Sequence, residues 1–156
     1  MKKALVIGID EYPSDPLPNC EHDAREFASV LQMAEYGFAA SDVCILLNGD
    51  ATIPRITAEL TALSAATELA LIYFAGHGQT TDIGTFLVTP DGTADNEGVE
   101  IRRIAKITER RLAHVESVLI MLDCCHAGAA TIACRPPGDL FEQRAIETLG
   151  SPLGDG

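Results

Sequence analysis

The chain has 156 residues, is 47% hydrophobic and 22% charged, and carries a formal net charge of −12. That length suits one domain with a real core, and the composition excludes a disordered chain. The acidic balance argues against nucleic acid or a membrane surface as a partner, since both call for a basic face, and is compatible with a cationic substrate.

Residues 3–10, KALVIGID, are a short apolar run of the kind a strand buried on both faces shows. EYPSDPLP, with three prolines, then breaks the chain. Asn19 is placed to cap a helix running to Met33, with Ala24, Phe27, Ala28 and Leu31 on its apolar face. DVCILLN, 42–48, predicts a second strand. Thr52 opens a second helix with Pro54 in its first turn and Ile53, Ile56, Leu60 and Leu63 on one side. ELALIYFAG, 68–76, predicts a third strand, 84–92 a small hairpin, 100–115 a polar-faced helix and 117–125 a fourth strand. Apolar strands alternating with helices predict an α/β fold, a parallel sheet covered on both sides. After Gly128 the chain turns Pro/Gly-rich, and it reads as a loop and tail with one helix near 139–149.

In an open parallel sheet, ligands bind beyond the carboxyl ends of the strands. His77, in AGHGQ, and Cys125, in LDCCHAG, both fall just past such ends. A histidine after a strand is more often structural, and a lone buried cysteine is more often an inert small hydrophobe. Together, at two strand ends linked by one helical crossover, they read as a thiol beside its base. Gly76 and Gly78 permit a tight turn, and the N–H groups of Gly78 and Cys125 could form an oxyanion hole. The chemistry is acyl transfer, as in peptide hydrolysis. His126 reads as structural, and Cys124, pointing to the opposite side from Cys125, reads as core packing.

No metal site is expected: Cys124, Cys125 and His126 are contiguous and cannot readily converge on one tetrahedral ion. There is no P-loop or dinucleotide fingerprint. Five cysteines without small-domain spacing give no disulfide framework, and neither a secretory leader nor an apolar span of about 20 residues is present, so a cytoplasmic location is expected.

ALVIGIDEYP…LPNCEHDA, YFAGHGQ and LDCCHAG together resemble the large-subunit (p20) portion of the caspase-like cysteine peptidases, over about residues 3–128. The likeness is closer to metacaspases and prokaryotic orthocaspases than to animal caspases, because the D-x-C-H-x-G signature (Asp123, Cys125, His126, Gly128) replaces Q-A-C-x-G. The resemblance implies a caspase-like three-layer α/β/α sandwich with a mostly parallel sheet, residues 1–130 as the catalytic domain, and 131–156 as a tail or processing linker. It implies Cys125 as nucleophile and His77 as general base. It also implies that Asp23, in CEHD, and Asp123 line the S1 pocket, so that protein substrates are cut after Arg or Lys.

The family's smaller (p10) portion has no counterpart here, which implies a processed fragment or a second p10-like chain. Many metacaspases take activating calcium through an adjacent acidic pair beyond the histidine. Asp91 and Asp95 lie in that region without forming such a pair, so no cofactor is expected. Ala127 stands where the family usually has Ser. Arg135 and Arg144, in the broken tail, are candidate sites for autoproteolysis or for an activating protease. The alternatives are a catalytically silent caspase-like interaction module, an Asp-specific caspase-type protease, and a metal or redox module using the vicinal cysteines.

Overall fold

Seven strands and three helices follow one another along residues 1–124, the part of the chain that this computed structural model describes. They are β1 (Lys2–Gly8), α1 (Cys20–Leu31), β2 (Val43–Leu47), α2 (Ile53–Ala62), β3 (Leu69–Ala75), β4 (Gly78–Thr80), β5 (Thr85–Thr93), β6 (Asn96–Glu100), α3 (Ile101–Arg111) and β7 (Ser117–Asp123). Cys125, His126, Arg135, Arg144, the expected helix near 139–149 and the whole of the 131–156 segment lie outside the described residues.

Strands β2, β1, β3 and β7 form, in that order, a wholly parallel sheet. The apolar runs of the central strands β1 and β3 are buried on both sides, as the sequence suggests, while the edge strands β2 and β7 are partly exposed. Leu5, Ile7, Ile72 and Phe74 enter one core with Ile56 and Leu60 of α2 and Ile104 of α3. Ala4, Val6, Leu71 and Tyr73 enter a second core with Ala24, Ala28 and Leu31 of α1. Helices on both faces make this an α/β/α sandwich. The small residues on α1 allow a close approach: a Cβ at Gly8 would overlap the Cys20 carbonyl and the Ala24 methyl.

Three local expectations are corrected. Asn19 does not cap α1: its φ of 73° is left-handed and its side chain makes no cap bond. The Asp10 carboxylate, from the loop after β1, accepts from the Cys20 and Glu21 N–H groups instead, at 2.6 and 3.2 Å. The first helix stops at Leu31, not Met33, and the third at Arg111, short of residue 115. The hairpin expected at 84–92 is a three-stranded antiparallel sheet, β4-β5-β6. Its first strand, Gly78-Gln79-Thr80, has no apolar residue, so no hydrophobic alternation could reveal it. Thr52 does cap α2, its hydroxyl accepting from Arg55 N–H at 3.4 Å.

Candidate active site

Register brings the carboxyl ends of the parallel strands level. Gly8 pairs with both Leu47 and Ala75, and Ala75 pairs with Asp123. The chain leaving β3 therefore starts beside the chain leaving β7, and Gly76 N–H donates to the Asp123 carbonyl at 3.3 Å. That bond fixes the turn carrying His77 against the strand that leads to Cys125.

His77 is held on three sides. Its backbone N–H donates to the Tyr12 hydroxyl at 3.0 Å, and that hydroxyl donates to the Val88 carbonyl at 3.2 Å. Val88 N–H in turn donates to the His77 carbonyl at 2.9 Å. Tyr12 thus inserts its hydroxyl into the β4–β5 ladder where the two strands begin to diverge. Burial pushes the Tyr12 pKa up from its usual value, and the hydroxyl keeps the proton that it donates. The Tyr12 ring lies 4.5 Å from the His77 ring, tilted by 52°. Gly76 is required here, since a Cβ would meet the Tyr12 hydroxyl and the Phe74 ring.

At the imidazole, Nε2 is 2.7 Å from the Asp15 backbone carbonyl and 3.5 Å from the Asp15 carboxylate. A carbonyl only accepts, so Nε2 carries the hydrogen, and in the neutral ring Nδ1 is the acceptor. Gly78 faces Leu87 across the antiparallel pair. Hydrogen-bonded and non-bonded pairs alternate along such a ladder, and His77–Val88 is joined by Val88 N–H. Gly78 therefore sits at a non-bonded position, its N–H directed away from β5.

Asp23, on α1, and Asp123, at the end of β7, both act electrostatically on Cys20 and Tyr73. Burial raises the Cys20 thiol to about 11, with the carboxylates of Asp10, Asp123 and Asp23 adding to the effect. Burial likewise raises Tyr73 to about 12, again with Asp123 and Asp23 contributing. Both acids are exposed, Asp123 on the edge strand β7 and Asp23 on α1, and the Tyr73 ring stacks on Phe27 at 4.4 Å. Cys124 packs against the opposite core, as the alternation along β7 suggests.

Both Asp91 oxygens accept from Ile53 N–H, at 3.0 and 3.1 Å, closing the start of α2. Among the described residues no three His, Cys, Asp or Glu side chains converge on a metal-sized site. Nor is any helix there long and apolar enough to cross a membrane.

The sequence reading missed Tyr12, Asp15 and Asp10. A tyrosine and two aspartates in a proline-broken loop carry no periodic signal, and only the fold brings Tyr12 to a residue 65 positions away.

The caspase-domain family model, Peptidase_C14, matches residues 1–150. No curated protein matches the chain. Among solved structures it is similar to a crystal structure of a Geobacter sulfurreducens protein, with a TM-score of 0.59 and 24% identity, over 82% of this chain and 52% of that one. At that identity the likeness speaks for the fold alone, and the chain spans about half the length of that protein. With the parallel sheet, its helices on both faces and the match over nearly its whole length, the chain belongs to the caspase-domain family of peptidases.

Proposed function

We propose that this chain is the catalytic part of a cysteine endopeptidase that cuts proteins after Arg or Lys, with Cys125 as nucleophile and His77 as general base. The observation that carries the reading is the state of His77. Its Nε2–H is committed to the Asp15 carbonyl at 2.7 Å, which leaves Nδ1 as the proton acceptor on a turn bonded to the strand that ends two residues before Cys125.

Nδ1 takes the thiol proton, and the thiolate attacks the scissile carbonyl. The N–H groups of Gly78 and Cys125 receive the oxyanion; a free N–H at Gly78 supports this role. The imidazolium returns its proton to the leaving amine, which departs and leaves a thioester. A water, deprotonated by His77, then releases the acid and restores the thiol. Asp23 and Asp123, both within electrostatic reach of Tyr73, suit a cationic P1 side chain and repel an acidic one. Calcium is assigned no role. Cleavage at Arg135 or Arg144 as an activating step, and action in a reducing compartment, belong to the same reading.

The test is hydrolysis of matched fluorogenic peptides with Arg, Lys or Asp at P1. Turnover after Arg and Lys should fall on the order of a thousandfold or more in Cys125→Ala and His77→Ala. Cleavage after Asp alone would keep the dyad and overturn the S1 assignment. If neither the intact chain nor chain cut at Arg135 or Arg144 reacts with an Arg-based thiol-reactive probe, the chain is an interaction module.

A further inference from the structure

Beside His77, on the α2 and α3 side of the sheet, a groove of about 1070 Å³ opens between the Tyr12–Leu17 loop and the β5–β6 sheet. The acids Asp23 and Asp123 lie on the α1 side and do not line it. Its walls include Leu17, Val88 and Pro90. Among the described residues no Lys or Arg lines it, while Glu97 and the rim residue Asp15 do.

Two polar atoms in its lining residues are unsatisfied. Thr89 is only 3% exposed, and its hydroxyl has no hydrogen-bond partner among the described residues. Glu97 is anchored through one carboxylate oxygen, which accepts from the Gln79 amide at 3.1 Å, while the other is buried and has no partner there. Buried acceptors are almost always paired, so two of them in one groove call for a donor. The backbone is irregular around them. The β5–β6 register breaks between Val88 and Thr93, and Gly92 folds so closely over Glu97 that a Cβ would overlap the Glu97 carbonyl.

We propose that this groove is a second specificity subsite, which takes a Lys or Arg side chain from one of the first two residues after the scissile bond. The inference rests on the cysteine-peptidase reading. In that chemistry the base hands its proton to the leaving amine, so the leaving fragment starts at His77, where the groove also starts. The side chain's aliphatic stem lies along the apolar walls, and its cationic head donates to Glu97 and Thr89. The P1 acids and this groove stand on opposite faces of the sheet, with His77 between them. The favoured substrate then carries basic residues on both sides of the cut.

The experiment is fluorescence anisotropy on the full chain carrying Cys125→Ala, with labelled peptides that keep Arg at P1. They differ only after the cut, with Lys, norleucine or Glu. Lys should bind about 10-fold more tightly than norleucine, and Glu more weakly than either. Glu97→Gln, checked for an unchanged melting temperature, should bring the Lys-to-norleucine ratio close to one, and Thr89→Val should lower it in part. Equal binding of the three peptides, or an unchanged ratio in Glu97→Gln, overturns the proposal and leaves a groove that holds only water. Should Glu97→Gln fail to fold, the three-peptide comparison on the Cys125→Ala chain decides alone.

Hydrolysis of an Arg-coumarin substrate by the unmodified chain reads the peptidase step separately, because it offers no side chain to the groove. Hydrolysis without a Lys preference sinks the subsite and keeps the peptidase. A Lys preference in binding without hydrolysis, before or after proteolytic activation, keeps the cation site and sinks the peptidase.

Discussion

Tyr12 shows how one side chain positions the proposed base without replacing it. Its hydroxyl takes the His77 N–H, holds the Val88 carbonyl and leaves its ring against the imidazole. Tyr12→Phe keeps the ring and removes both bonds, leaving a part-buried N–H and carbonyl without this partner. The expected cost is about 1–3 kcal/mol, read by urea unfolding. In the peptidase assay kcat should fall more than KM changes, because the imidazole loses its alignment and the P1 pocket is untouched. A second consequence concerns Cys20, whose thiol is pushed from an ordinary 9.0 to about 11. Between those values the unfolded chain has lost the thiol proton while the folded chain still holds it, so stability is full below pH 9.0 and falls as pH rises towards about 11. Tyr73, raised to about 12, adds to the same alkaline loss. Melting temperatures measured from pH 8 to pH 11 should show this decline, and Cys20→Ala should make it shallower; an equal slope would mean that Cys20 takes no part.

At the scale of the element, apolar spacing made α1, α2 and the buried strands legible, since it reports which face meets a core. The ends were less legible where the cap comes from afar. Asn19 has the right chemistry and sits immediately before α1, yet its left-handed backbone turns it out of the capping role. Asp10 supplies the cap from ten residues before the helix, in a loop that Asn48 braces by accepting from Asp10 and Glu11 N–H, at 2.9 and 3.2 Å. The two residues should therefore behave oppositely. Asp10→Ala should cost about 1–2 kcal/mol, whereas Asn19→Gly should be neutral or slightly stabilising, because glycine relieves a φ of 73°. Chemical denaturation of the two variants checks this, and a larger loss for Asn19→Gly would restore the cap to Asn19. The β4 strand escaped for a different reason: it is three residues long and polar, and only its partner β5 defines it.

For the whole molecule, the sequence carries the alternation of strand and helix but not the order β2-β1-β3-β7. That order makes β3 and β7 neighbours, so it brings the strand ends that lead into two motifs far apart in the chain side by side. It also assigns the two halves of the site to different cores: the acids sit with Tyr73 over the α1 core, and His77 with Tyr12 over the other. Phe74 links the core under α2 and α3 to the site. It is fully buried at the end of β3, and its ring lies directly beneath Gly76. Met121, on β7, is 38% exposed and carries little of either core. Phe74→Ala should cost about 3–5 kcal/mol, a large share of a stability of about 5–15 kcal/mol, whereas Met121→Ala should cost under about 1 kcal/mol. Phe74→Leu, a milder cut that should still fold, tests the coupling between core and site. The shift beneath Gly76 should move His77 and the groove together, so turnover of the Arg substrate and the Lys preference after the cut should decline in parallel. The two measurements, made on one preparation, would part company only if the turn at His77 were held by Tyr12 and Asp123 alone.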